Sequence, residues 1–179
     1  MSLTEEDIVK GCYDNSPKAQ KMLYERFASK MLGVVLRYAK DEDEAYDILQ
    51  DGFVKVFSKI HSFNMEGSLE GWIRRIMVNT ALDQYRKNKK YQKDVKLDDV
   101  SFFLEHDDFI VESLAANDLM KIINAMPRGY RIVFNMFAVE GYSHKEIADK
   151  LGVSENTSKS QYSRARQFVK KILEEQNLI

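Results

Sequence analysis

Cys12 is the only cysteine in the 179 residues, so the chain can form neither an intramolecular disulfide nor a multi-cysteine zinc site. Such sparing use suits a reducing compartment. Proline is confined to Pro17 and Pro127, which leaves room for long uninterrupted helices. No apolar run approaches the roughly 20 residues that a membrane-spanning helix needs. The opening residues, MSLTEEDIVK, are acidic and lack an apolar core. No secretory signal is expected there, and the protein is read as cytoplasmic. Histidine is limited to His61, His106 and His144, and no glycine-rich phosphate loop is present. No Ser/His/Asp set or metal-spaced cluster emerges, so no catalytic residues, metal site or cofactor are expected. His106-Asp107-Asp108 is a lone triplet and reads as solvated.

What the chain does have is segregated charge. Its formal net charge is −1, yet the charges alternate in blocks. Residues 41–51 carry six acids and no base, residues 72–93 seven bases and one acid, residues 94–118 eight acids and one base, and residues 143–171 seven bases and three acids. A chain neutral in sum can still present basic surfaces to a polyanion. For any single block, the alternative is an ordinary solvated face.

Alternation of period two is missing, and apolar residues recur at helical spacing, so the chain reads as all-α. Ser16-Pro17 marks a helix start, with the helix running to about residue 40 and Met22, Leu23, Phe27, Met31, Val34, Val35 and Tyr38 inward. A second helix spans roughly 41–60 on Ala45, Ile48, Leu49, Phe53, Val56, Phe57 and Ile60. Gly52 falls inside it, at a cost of about 1 kcal/mol against alanine. After the loop HSFNMEGS, Ser68 caps a third helix to about residue 90, with Ile73, Ile76, Met77, Thr80 and Ala81 as its inner stripe. Residues 94–118 read as an acidic linker that turns helical near its end. Two short helices flank Pro127, and Gly141 reads as a stop.

The stretch GVSENTSKSQYSRARQFVKKIL, residues 152–173, follows a capping box of Ser143 and Glu146. Ile147, Ala148 and Leu151 form one face, Gly152 permits a tight turn, Val153 plugs the corner and Ser154 caps the next helix. Tyr162, Ala165, Val169 and Ile172 point inward at spacings of three and four. This is the plan of a DNA-binding helix-turn-helix, with Asn156, Lys159, Ser160, Gln161, Ser163 and Arg164 on the outer faces. Lysine and arginine suit phosphates and guanine; serine, asparagine and glutamine reach base edges. A helical hairpin with a solvated face is the alternative.

In the first half, Trp72, Arg75, Asn79, Asp83 and Arg86 share a helical face, with Tyr85 beside it. Aromatics among bases suit single-stranded nucleic acid, where each stacked base contributes about 1–3 kcal/mol. Trp72 as a plain core residue is the other reading. On the helix at 41–60, Asp43, Asp47, Gln50 and Asp51 line the face opposite the apolar stripe. Acids there would repel DNA and fit a basic protein, or simply keep the helix solvated.

Two blocks resemble a known family. AYDILQDGFVKVFSKI with SLEGWIRRIMVNTALDQYRK resembles region two of bacterial sigma factors, and MPRGYRIVFNMFAVEGYSHKEIADKLGVSENTSKSQYSRAR resembles region four. A short chain holding only these regions resembles the extracytoplasmic function (ECF) group of the sigma-70 family. The resemblance covers roughly residues 15–173. It implies two small helical domains: residues 1–93 as the region-two bundle and residues 119–179 as the region-four helix-turn-helix, joined by an acidic linker at 94–118. It also implies a transcription initiation factor that binds core RNA polymerase and directs it to promoter DNA.

By the same resemblance, Asp47, Gln50, Asp51 and Phe53 match the polymerase-docking surface. Trp72, Arg75, Asn79, Asp83 and Arg86 match the segment that melts and reads the minus-ten element, and Phe63 and Asn64 open the loop that captures a flipped base. The recognition-helix set matches the reader of the minus-thirty-five element. An anti-sigma factor is the implied inhibitor. Two departures stand out: Ser158 replaces an inward aliphatic, which predicts looser or shifted packing of the recognition helix, and Gln161 replaces a base.

Two other classes compete. A polymerase-independent regulator with a helical sensor domain would need neither the basic-aromatic segment at 72–93 nor the acids at 43–51. An enzyme would need the clusters whose absence is noted above.

Overall fold

Helices begin where a side chain can take up the free N–H groups of a first turn. The computed structural model describes residues 4–91 and 121–175, and among these every regular element is helical. The elements are α1 (Glu5–Tyr13), α2 (Pro17–Val35), α3 (Glu42–Lys59), a 3-10 turn (Ile60–Ser62), α4 (Leu69–Tyr91), α5 (Arg128–Phe134), a π turn (Asn135–Val139), α6 (His144–Leu151) and α7 (Glu155–Glu175). The chain divides into two compact units, Met1–Gln84 and Tyr85–Ile179, with the boundary inside α4. Residues 94–118, read as a linker, lie outside the described residues.

The apolar spacing assigns no element ahead of Ser16, and α1 is an addition. Its start is a capping box: the Thr4 hydroxyl accepts from the Asp7 N–H at 3.2 Å and the Thr4 N–H donates to the Asp7 carboxylate at 3.0 Å. Ile8, Val9 and Cys12 pass from this helix into the core. Ser16 precedes Pro17 as expected, but its hydroxyl makes no capping bond. The helix ends at Val35 rather than near residue 40, because Arg37 and Tyr38 bond back only three residues and tighten the last turn. Leu23, Phe27, Met31, Val34, Val35 and Tyr38 are buried as the spacing predicts, while Met22 is half-buried.

Asp41 caps α3 by accepting from the Glu44 N–H at 2.8 Å, and buried Glu44 accepts from the Lys40 N–H. The α3 stripe is buried throughout except for half-buried Phe57. Ser68 caps α4 through the Gly71 N–H at 3.2 Å.

Gly52 is where α3 meets α4. A Cβ built on it would stand 2.2 Å from the Met77 sulfur, and Met77 is fully buried. The helix-propensity gain from Gly52→Ala is about 1 kcal/mol. Overpacking a closed core costs about 1–3 kcal/mol. The clash outweighs the propensity. Gly52→Ala is therefore expected to lower stability by about 1 kcal/mol, read from the denaturant midpoint; a rise in the midpoint would contradict the close approach.

In the second unit, Ile123, Met126 and Ala165 form a small core with Tyr130, Phe134, Phe168 and Val169 packed on it. Gly141 takes φ +77° after the π turn and Gly152 takes φ +65° between α6 and α7, the left-handed backbone expected at both.

Candidate functional site

The helix-turn-helix forms as its residue pattern directs. The Ser143 hydroxyl accepts from the Glu146 N–H and the Ser143 N–H donates to the Glu146 carboxylate at 2.8 Å, completing the capping box of α6. Ile147, Ala148 and Leu151 are buried. Ser154 caps α7 by accepting from the Thr157 N–H at 3.0 Å. Hydrogen bonds from the Ser143 N–H and then its hydroxyl hold the Glu146 carboxyl below its ordinary value. A carboxyl depressed on folding stabilises above its ordinary pKa, and that contribution is lost as pH falls through the folded value. Ser143→Ala is expected to cost about 1 kcal/mol of stability and to flatten this acid-side loss. Chemical denaturation at several pH values between neutrality and the carboxylate range measures both.

On α7, Asn156, Lys159, Ser160, Ser163 and Arg164 are exposed together on one side, and Gln161 is half-buried at its margin. Lys159, Ser160, Ser163, Arg164 and Gln167 line a shallow open depression. Lys159 pairs with Glu155 at 2.7 Å, an exposed pair that holds the ammonium only weakly. The Arg164 guanidinium reaches the Tyr130 hydroxyl of α5 at 3.4 Å. Of the expected inward stripe, Ala165 is fully buried and Tyr162, Val169 and Ile172 are half-buried. Ser158, expected to loosen the packing, has no exposed surface and is hydrogen-bonded to Nδ1 of His144 at 2.9 Å. The polar side chain is buried because it has a partner.

In the first unit, Trp72 is half-buried at the start of α4, with its ring 5.6 Å from that of Phe63. Arg75, Asn79 and Arg86 are exposed along the same helix. Asp83 pairs with Lys55 at 3.5 Å, and Lys55 also donates to Thr80 at 3.1 Å, so Asp83 braces α3 against α4.

Phe63, at the start of the loop, is buried, and its carbonyl accepts from the Tyr13 hydroxyl at 2.6 Å, so it anchors the base of the loop. Asn64 and the rest of the loop to Ser68 are exposed, and Met65 and Gly67 both take positive φ. Tyr13, on the unexpected helix α1, thus supports this loop and also stacks on His61 at 5.0 Å. Its role was hidden because the two residues lie 50 apart.

On α3, Asp47, Gln50 and Asp51 face solvent, and Asp43 precedes them on the same face. Among the described residues no Lys or Arg stands within ion-pair distance of Asp47 or Asp51. Phe53 does not join them. It is buried beneath the face, 4.7 Å from the Tyr24 ring, because a large apolar side chain on the inner stripe closes the α2–α3 core. The apolar groups that do reach the surface here are Tyr46 and Val54, 45% and 67% exposed.

Among the described residues no helix is long and apolar enough to cross a membrane, and no group of three or more His, Cys, Asp or Glu is placed to hold a metal.

Two family models match the chain. Sigma-70 region 2 matches residues 23–91, from α2 through α4, and Sigma-70 region 4 matches residues 116–169, through the helix-turn-helix. The chain belongs to the sigma-70 family. Its similarity runs to the ECF group: it is 26% identical to the ECF RNA polymerase sigma-E factor of Haemophilus influenzae, over 93% of this chain and 94% of that one. It is 25% identical to the RNA polymerase sigma-H factor of Pseudomonas aeruginosa, over 95% and 94%, and 29% identical to SigZ of Bacillus subtilis, over 85% of each. Among solved structures it resembles the sigma factor RpoE of Bartonella quintana, determined in complex with the anti-sigma factor NepR. That match has a TM-score of 0.56 at 25% identity and covers 86% of this chain and 96% of RpoE. The fold is also that of CnrH, with a TM-score of 0.50 at 20% identity over 93% and 95%. This sigma-70 factor is thus a promoter-directing transcription initiation factor, with region 2 running from α2 through α4 and region 4 carrying the helix-turn-helix.

Proposed function

We propose that this sigma factor divides its work among three separate surfaces. The exposed face of α3, with Asp47, Gln50 and Asp51, docks on a basic surface of core RNA polymerase, with Tyr46 and Val54 as its apolar anchors. Buried Phe53 shapes this face from beneath. The outer face of α4, with Trp72, Arg75, Asn79 and Arg86, and the loop from Asn64 to Ser68 engage the minus-ten element as it melts. Asn156, Lys159, Ser160, Gln161, Ser163 and Arg164 read the minus-thirty-five element. Residues 1–93 and 119–179 act as the two domains and residues 94–118 as the acidic linker.

The observation that carries this reading is the pairing of exposures: Asp47 and Asp51 on α3, exposed and in no ion pair among the described residues, and the exposed face of α7 that carries Lys159 and Arg164. Exposed surface charge of opposite sign steers two different partners to two different places. The factor works by binding, not by catalysis, in the cytoplasm where its template lies. An anti-sigma factor that covers these faces holds it inactive, a regulation supported by the RpoE–NepR complex.

Reconstituted run-off transcription tests the proposal. Core polymerase with this chain is expected to yield one discrete transcript from a cognate promoter, and core alone none. Equal transcription without the chain, or none from any genomic promoter with it, would contradict the reading.

A further inference from the structure

Ser158 sits in the first turn of α7 on the inward stripe that continues through Tyr162 and Ala165. A buried hydroxyl left without a partner costs about 1–3 kcal/mol. Here the partner comes from the other helix of the motif: Nδ1 of His144, in the first turn of α6, at 2.9 Å. The imidazole is itself held in place. It lies flat on Phe137 of the π turn, with centroids 4.4 Å apart and planes at 15°, and its edge meets Tyr162 of α7 at 5.7 Å. Phe137 and Tyr162 close the cluster at 4.5 Å. Three elements therefore converge on one directional contact.

Direction is what an aliphatic contact at this position would lack. Methyl packing tolerates sliding and small rotations, whereas a hydrogen bond weakens steeply with angle. Side chains of a helix reach about 5–6 Å from its axis. A rotation of α7 by about 20° would carry their tips by about 2 Å, enough to break a contact with a base edge. The bond also survives a change of ring state. The hydroxyl donates to a bare Nδ1, and an Nδ1–H donates to the hydroxyl oxygen.

We infer that the His144–Ser158 bond sets the rotation of the recognition helix, which makes His144 a positioning residue for base selection although it lies on the opposite helix. The inference rests on α7 reading the minus-thirty-five element.

The test uses holoenzyme assembled from core polymerase and the full chain. Affinity is measured for a set of promoters substituted base by base in the upstream element and for a non-specific duplex at the same salt. His144→Phe keeps the stack on Phe137 and deletes the ring nitrogens; Ser158→Ala deletes the hydroxyl. Each is expected to lower affinity for the best promoter about three- to tenfold relative to the non-specific duplex, and to flatten the base preference. The double variant is expected to lose no more than the worse single, because both residues act through one bond. Wild-type base preference in folded single variants would overturn the inference. So would losses that multiply in the double variant, or equal losses on specific and non-specific DNA together with lost helicity. If Ser158→Ala does not fold, His144→Phe carries the test alone, since its ring is half-exposed. A wild-type holoenzyme indifferent to the upstream element would overturn the assignment of α7 and the inference with it.

Discussion

Asp51→Lys is expected to weaken binding to core RNA polymerase by about tenfold to a hundredfold, the largest effect of any single surface change in this sigma factor. Asp51 is exposed one helical turn after Asp47, and neither is in an ion pair among the described residues, since Lys55, one turn on, is turned to Asp83 and Thr80. Reversal therefore removes one attraction and adds one repulsion without breaking an internal bond. Juxtaposed like charges at an interface cost several kcal/mol, and each 1.4 kcal/mol is about a factor of ten in affinity. An exposed mid-helix site changes stability by about 0.5 kcal/mol or less, so the melting temperature is expected to hold. Asp51→Asn, which loses the attraction alone, is expected to fall between wild type and Asp51→Lys. Titration of labelled core polymerase at two salt concentrations reads the effect, with a shallower salt dependence in the variants. Unchanged affinity in Asp51→Lys would remove α3 as the docking face.

Arg164→Ala carries the second large effect, on DNA. Its guanidinium stands exposed on α7, steadied from one side by the Tyr130 hydroxyl. A bidentate arginine–guanine pair contributes about 1–3 kcal/mol of discrimination, so promoter affinity of the holoenzyme is expected to drop by about five- to a hundredfold. The pattern of loss distinguishes the contact. If Arg164 reads a base, the loss concentrates on promoters with the preferred base at one upstream position. If it meets phosphate, the loss is uniform and the salt slope falls by about one. Arg164→Lys keeps the charge but not the fork and is expected to rescue only the second pattern. Full transcription from a mapped promoter in Arg164→Ala would exclude the recognition-helix role.

Features written within a few residues were legible in the sequence. The Ser143–Glu146 capping box, the left-handed Gly152 and the Ser68 cap each join residues three or so apart, or need only one residue's backbone freedom. The α3 and α4 stripes were legible because burial follows the helical period. What escaped depends on where distant elements meet. Phe53 and Phe63 match positions of a binding surface, yet each fills a gap between elements and is buried. Gly52 reads as a helix defect until Met77 is found against it. Ser158 reads as a loss of packing until His144, 14 residues earlier, supplies its partner. The α1 helix escaped as well: its signal is the Thr4–Asp7 capping box, and apolar spacing alone does not show it.

The claim that promoter recognition belongs to the complex, with the α3 carboxylates held by the polymerase, is tested most directly by a mobility shift. A labelled cognate promoter duplex is titrated with the chain alone and with the chain plus core polymerase, at physiological salt. A sequence-specific shift is expected only in the second series, and Asp51→Lys is expected to move it to about tenfold to a hundredfold higher concentration there. A shift of equal strength and specificity with the chain alone would contradict the account.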